Sequence, residues 1–398
     1  MNQRGVAARM AVLAIAALAL RPQLIGVGPL VPQIRTDLGM SFAEAGLLTT
    51  IPLLCMGVFA LTTPSVVAAL GPGRTLAGCL LLITLAGALR GLAPDGPWLL
   101  ILTVPAGLGI GTAGAAFPVL VKEWFPGRGA TATGVYTTSI QLGSTVSAGI
   151  AVPLSLALGG WRGTLEAYAA VAMVSVAGWL LFAPRSPRPP RRTGRGLIAP
   201  IAVRSPVAWL LAALFALTAV PYYGLSAWLP SAYVERGWSA VDAGALLAAF
   251  GLAGLPASLV ASVLADRVGT RRHYLVIASL VVIVSLTGLI VAPGLAWLWA
   301  VTAGAFLGVL FTIGLTLPLD VSHDPARVAP VVGLMLFVGY IAMAFMPALL
   351  GAVRDATGSF TTSLWLIVGS VVLLFGASLL ATPDRLTERP PDRLAERP

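Results

Sequence analysis

Apolar residues in this chain come in long blocks, with polar residues gathered in short stretches between them. The first block, VLAIAALALRPQLIGVGPLVPQI (12–34), is nearly all apolar and carries a single arginine, Arg21, followed at once by Pro22. A helix that crosses a bilayer needs about 20 apolar residues, and counting such runs predicts twelve spans. Their limits are 9–33, 42–69, 75–93, 97–121, 130–157, 164–183, 206–230, 240–265, 274–292, 295–319, 329–352 and 361–381. The expected fold class is an all-α integral membrane protein.

The polar stretches repeat. PQIRTDLGMSFAEAGLL (32–48) aligns with PSAYVERGWSAVDAGAL (230–246), pairing Pro32 with Pro230, Gly39 with Gly237, Ser41 with Ser239 and Glu44 with Asp242. The constant offset, 198 residues, carries six spans, so both halves point the same way across the membrane. That is the parallel repeat about an axis normal to the bilayer. Ser41 and Ser239 stand where helix N-caps belong, each with an acid three residues on. The expected domains are a six-helix bundle over 1–183, a basic cytosolic linker over 184–205, a second six-helix bundle over 206–381 and a disordered cytosolic tail over 382–398.

Charge sets the orientation. Placing the N-terminus in the cytosol puts nineteen of the 25 Lys and Arg residues inside, and only Arg35, Arg90, Arg162, Arg236 and Arg354 outside. The positive-inside rule favours that arrangement, with both termini cytosolic in a bacterial plasma membrane. The linker PRSPRPPRRTGRGLIAPIAVRS (184–205) carries six arginines and no acid, and reads as a topological lock between two bundles, with binding to anionic lipid as the alternative. The tail DRLTERPPDRLAERP has too few apolar residues to fold.

Composition agrees: 58% of residues are hydrophobic and 10% charged, against about 25% charged in soluble domains. The formal charge of +10 could suggest nucleic acid, but the arginines sit in membrane loops. The two cysteines, Cys55 and Cys79, lie inside apolar runs, so no disulfide scaffold is expected. The first run is too long for a signal peptide and lacks a small-residue cleavage site after it, so it is read as a retained helix.

Arg21 is the chemical focus. It falls about 18 Å from either end of its span at 1.5 Å per residue, farther than its side chain can snorkel. Insertion scales put the cost of a lone central arginine at roughly 2.5–3.5 kcal/mol, and no Asp or Glu lies near the middle of any span. Arg21 is therefore expected to face a polar cavity, where its planar fork of five donors suits a small anion or a nitro group. The alternative is satisfaction by backbone carbonyls that Pro22 frees and by ordered water.

The same arithmetic places Gln141 near the centre of the fifth span, Tyr340 near the centre of the eleventh, and Tyr222 with Tyr223 beyond the centre of the seventh. The offset maps Gln141 to Gly339, so Gln141 and Tyr340 are expected to face one another. Trp228, near the outer interface, is a candidate gate or an ordinary interfacial anchor. Thr49, Thr137 and Thr138 are weaker candidates, since threonine often bonds its own helix. Arg90 and Arg162 near Glu166 suggest an outer salt bridge. His273 and His323 fall in loops, so no histidine proton relay is expected.

The loop LADRVGTRR (264–272) resembles a motif of the major facilitator superfamily. That resemblance implies a cytosolic latch made by Asp266 with Arg267, Arg271 and Arg272. In the first half the equivalent AALGPGR (68–74) has lost the acid. Further stretches resemble one branch of that superfamily, the cyanate and 2-nitroimidazole (CynX/NimT) transporters. They include LRPQLIGVGPLVPQIRTDLGMSFAEAGLLTTIPLLCMG, FPVLVKEWFP, GVYTTSIQLGS, YYGLSAWLP, GLPASLVA and VRDATGSFTTSL. The chain departs from the branch at Thr218, where glutamine is usual, and in FLGVLFTIGLTLPLD, which lacks a Gly-Gln-Gly pattern. The resemblance implies a cavity lined by spans 1, 4, 7 and 10 with 2, 5, 8 and 11, and a substrate contact for the Leu-Arg-Pro arginine, Arg21.

The expected function is alternating-access secondary transport of a small anion or compact planar polar compound, cyanate-like or nitroimidazole-like. The substrate-binding candidates are Arg21, Gln141, Tyr222, Tyr223, Tyr340, Thr49 and Trp228. A broader drug exporter of the same fold is the alternative, disfavoured by the missing intramembrane acid. No nucleotide loop, metal-ligand cluster or nucleophile–base spacing supports an enzyme, and neither cofactor nor metal is expected. The expected partners are a small-molecule substrate and the lipid bilayer, with no nucleic acid, and the expected state is a monomer.

Overall fold

The computed structural model describes residues 3–184, 205–267, 271–317 and 325–380, without the side chains at 3–5, 60, 61, 130, 262–267, 271, 316, 325–330 and 380. The regular structure of these residues is helical throughout. The helices are α1 (Gln3–Leu18), α2 (Pro22–Ile25), α3 (Val31–Leu38), α4 (Phe42–Leu70), α5 (Pro72–Gly91), α6 (Gly96–Trp124), α7 (Gly129–Ala157) and α8 (Trp161–Phe182). In the second half they are α9 (Pro206–Glu235), α10 (Ala240–Arg267), α11 (Arg271–Val291), α12 (Ala296–Thr316), α13 (Pro325–Thr357) and α14 (Phe360–Leu380). Among the described residues twelve stretches are long and apolar enough to cross a membrane, the first of them made by α1, α2 and α3 together. Helices suit this setting because each satisfies its own backbone polar groups, which lipid cannot do. The linker over 185–204 and the tail over 381–398 lie outside the described residues.

The repeat is visible in where the helices begin. Phe42 pairs with Ala240, Pro72 with Arg271, Gly96 with Ala296 and Trp161 with Phe360, each pair about 198 residues apart. Both predicted N-caps form. The Ser41 Oγ accepts from the Glu44 N–H at 3.1 Å while the Glu44 carboxylate accepts from the Ser41 N–H at 2.8 Å. In the second half the Asp242 N–H donates to Ser239 Oγ at 3.1 Å.

The first span is where the structure departs most from a plain helix. Pro22 has no N–H to give the carbonyl of Leu18, and its ring would collide with that carbonyl in a continuous helix. The helix accordingly stops at Leu18 and restarts at Pro22, with Arg21 as the residue before the restart. Pro29 and Pro32 divide the remainder into a 3-10 turn over Gly28–Leu30 and then α3. Other helices pack closely enough to cover this irregular backbone. A Cβ on Gly143 of α7 would collide with the Leu18 carbonyl oxygen, so only glycine admits α7 there.

The bundles meet chiefly through α4 against α13 and α7 against α10. The end carrying the turns near 40, 159, 237 and 358 is the one that charge assigns to the outside, and is termed the outer end. It is closed. The Asp355 carboxylate, on α13, accepts from the Phe42 and Ala43 N–H groups of α4 at 3.1 and 2.8 Å. These are first-turn donors that α4 cannot satisfy internally. Two turns deeper, Thr50 Oγ1 accepts from the Ala348 N–H at 3.3 Å. The Phe42 ring lies edge-on to Phe360 at 5.2 Å and tilted against Trp228 at 5.8 Å. The Arg35 and Arg354 guanidinium carbons sit 3.5 and 4.3 Å from its centroid.

Candidate substrate site

The break in the first span brings Arg21 against α9. Its Nη1 donates to Tyr223 Oη at 3.2 Å, and its Nε is buried without a partner among the described residues. Tyr222 and Tyr340 stand close enough to interact with the guanidinium electrostatically. Tyr222 and Tyr223 meet edge to face at 5.2 Å, the arrangement that ring quadrupoles favour. Two consecutive aromatics on a helix point about 100° apart, so one side of α9 offers hydroxyls in two directions.

Gln141 of α7 takes the second hydroxyl: its Nε2 donates to Tyr222 Oη at 3.2 Å. Sequence symmetry placed Gln141 opposite Tyr340, but its hydrogen bond goes to Tyr222. Gln141 and Tyr222 meet across the two bundles, a pairing the offset does not encode. Arg21, Tyr223, Tyr222 and Gln141 thus link three spans from both bundles. A small cleft adjoins them, lined by Ile25, Ser144, Thr145, Tyr222, Ser226 and Phe250. Thr145 Oγ1 is buried there with no partner among the described residues.

Other sequence candidates lie elsewhere. Thr49 is buried in α4, beside the Thr50 that serves the outer closure, and among the described residues no hydrogen bond joins it to the tyrosines. Trp228 is 1% exposed, and its indole N–H donates to the Pro347 carbonyl at 2.7 Å. That places Trp228 in the closed outer end rather than beside Arg21. Thr137 bonds its own helix at the Thr133 carbonyl, 2.8 Å away. Of the proposed latch, Arg272 donates to the Leu379 carbonyl at 2.8 Å. The side chains of Asp266, Arg267 and Arg271 lie outside the described residues.

The expected salt bridge at Glu166 is replaced by two other arrangements. Arg162 pairs with Asp37. Arg90 turns inward, is fully buried and donates to Gln23. Sequence reading placed Arg90 at the outer face, near Glu166. The available signal was Gly87, one turn earlier on the same face, which marks a close approach of another chain segment. Arg90 is the only fully buried charged residue among the described residues, and no Asp or Glu joins it.

Comparison with known proteins agrees with this architecture. The family model described as Major Facilitator Superfamily matches residues 12–347 and 235–397. The chain is 33% identical over 350 residues to the cyanate transport protein CynX of Escherichia coli (strain K12), covering 88% of this chain and 90% of that protein. It is 29% identical over 366 residues to the 2-nitroimidazole transporter of the same organism, covering 90% and 92%. Among solved structures, a bacterial homolog of the human lysosomal transporter Spinster, inward-facing and occupied, superposes with a TM-score of 0.79 at 17% identity, covering 97% and 98% of the two chains. With twelve apolar spans, a parallel repeat and these relatives, the chain belongs to the Major Facilitator Superfamily, in its cyanate and 2-nitroimidazole branch, and is a multi-pass membrane transporter rather than an enzyme.

Proposed function

We propose that this protein is a secondary-active transporter of a small anion or a compact planar polar compound, cyanate-like or nitroimidazole-like, working by alternating access with Arg21 as the central ligand. One observation carries the reading: Arg21 sits at a helix break between the two bundles, and among the described residues its guanidinium donates to a neutral phenol alone. A cation balanced by a carboxylate would have no net attraction left for an anion. Here the charge is unneutralised and its fork is incompletely used, which favours a ligand that accepts several hydrogen bonds. Tyr222, Tyr223, Gln141 and Tyr340 would supply the remaining polar wall. Names of the relatives support the substrate class, and the closed outer end fits a state open toward the cytosol. The protein would act as a monomer in the bacterial plasma membrane with both termini cytosolic.

The test is a binding screen of purified protein against cyanate, nitrate, nitrite, small carboxylates and nitroimidazoles, read by thermal shift and repeated with Arg21→Ala. Saturable stabilisation of the wild type by one of these compounds, lost in the variant, supports the reading. Stabilisation only by large amphipathic cations would turn it toward drug export.

A further inference from the structure

A second arginine, remote from the proposed ligand, is built into the break that presents Arg21. Arg90 is on the last turn of α5, fully buried. Its Nη1 donates to the Gln23 carbonyl at 2.8 Å and to the Gln23 side-chain oxygen at 3.1 Å. The amide nitrogen of Gln23 then donates to the Leu165 carbonyl of α8 at 3.0 Å. Gln23 is the second residue of the four-residue α2, two positions beyond Arg21. A Cβ on Gly87, one turn before Arg90, would collide with the Gln23 amide nitrogen. The α5 face is therefore shaped around this one side chain. Arg90 Nε and Nη2 have no partner among the described residues, so the guanidinium is retained despite incomplete satisfaction.

We propose that Arg90 is a positioning residue: through Gln23 it clamps α2 between α5 and α8 and so sets where Arg21 points. The physical need is clear. A four-residue helix cannot hold itself, because nucleation alone makes short isolated helices unstable. The prolines around it remove backbone donors that would otherwise tie it to α1 and α3. An external donor on the 20-residue α5 replaces them, and a guanidinium can serve the carbonyl and the side chain of one residue together. The uncompensated charge also adds positive potential to the same bundle, matching the anionic ligand; this part rests on the proposed function.

The test separates the two. Amide hydrogen exchange is measured without ligand on wild type, Arg90→Met, Arg90→Lys and Gly87→Ala, together with melting temperature. Arg90→Met should speed exchange within residues 19–31 at least tenfold while α5 and α8 stay protected and the melting temperature stays within about 3 °C. Gly87→Ala, which displaces Gln23 without touching Arg90, should act in the same direction. Arg90→Lys, keeping one charged donor for the Gln23 carbonyl, should remain within threefold of wild type. Titration with sodium cyanate and sodium nitrate should then show at least tenfold weaker binding in Arg90→Met and at most threefold in Arg90→Lys. Wild-type exchange over 19–31 in Arg90→Met, or loosening of all three helices with a collapsed melting temperature, overturns the positioning role. If neither anion binds the wild type, the anion reading fails while the exchange result still decides the role of Arg90.

Discussion

Arg21 joins a high local cost of burial to few polar partners. Among the described residues its side chain makes one hydrogen bond, to a neutral hydroxyl, and a charge-assisted bond of this kind contributes about 1.5–3 kcal/mol. Arg21→Ala removes a desolvated charge without stranding a carboxylate, so the melting temperature should stay close to wild type. The ligand would lose at least one charge-assisted bond, and at about 1.4 kcal/mol per factor of ten the loss of one such bond lowers its affinity roughly tenfold to 100-fold. Arg21→Lys should recover little, because an ammonium lacks the planar fork. Thermal-shift titration of the three proteins checks both statements; unaltered binding by the alanine variant would make Arg21 structural. Tyr223→Phe leaves the ring packing against Tyr222 and removes only the acceptor. Arg21 keeps its charge and its fork in this variant, so the binding defect should stay below about tenfold, or about 1.4 kcal/mol, and be smaller than that of Arg21→Ala in the same titration.

At the scale of elements, the α4 N-terminus shows how one helix end can serve as both cap and latch. Ser41 and Glu44 satisfy donors of the first turn from within the chain segment. The Phe42 and Ala43 donors are met only by Asp355 of the other bundle. An outward-open state must therefore expose those two N–H groups and the carboxylate to water, and also part Phe42 from Phe360. Asp355→Ala removes the cross-bundle acceptor and should shift the population toward an open outer end, because substituting a capping side chain costs about 0.5–2 kcal/mol. Spin labels on Leu158 and Leu295, exposed at the outer ends of the two bundles, should report a longer distance distribution in the variant. An unchanged distribution would show that the apolar contacts alone keep this end shut. The Ser41 cap was legible in the sequence, from a serine with an acid three residues on. Asp355 was not, since a carboxylate at the end of one helix carries no mark of the helix it will meet.

For the whole molecule, the twelve spans among the described residues would place both termini on one side, which the proposed orientation makes the cytosol. An alkaline phosphatase fusion after Pro94, in the turn between α5 and α6, should be active outside the cytosol. A green fluorescent protein fused at the C-terminus should fluoresce in the cytosol. Reversed signals would overturn the charge-based orientation and rename the closed end. The same scale explains the cavity's chemistry. Among the described residues no Asp or Glu is buried, whereas Arg90 is fully buried and Arg21 largely so. The interior thus carries net positive charge in low dielectric, where Coulomb interactions are several-fold stronger than in water.

The sequence by itself determined the helical class, the number of spans, the two N-caps and the repeat about 198 residues apart. These depend on transfer of a contiguous apolar segment or on bonds between residues three apart, so nearby residues contain the whole cause. The Arg21–Pro22 pair likewise announced a disturbed helix, because proline's missing donor acts on a carbonyl four residues back. Only the tertiary structure decided how that disturbance was resolved. Gln141 turns to Tyr222 across 81 residues, Arg90 to Gln23 across 67, and Asp355 to Phe42 across 313. Each buried polar group takes whichever partner packing brings within about 3 Å, and that choice follows from helix crossings and glycine-lined approaches that no single segment specifies.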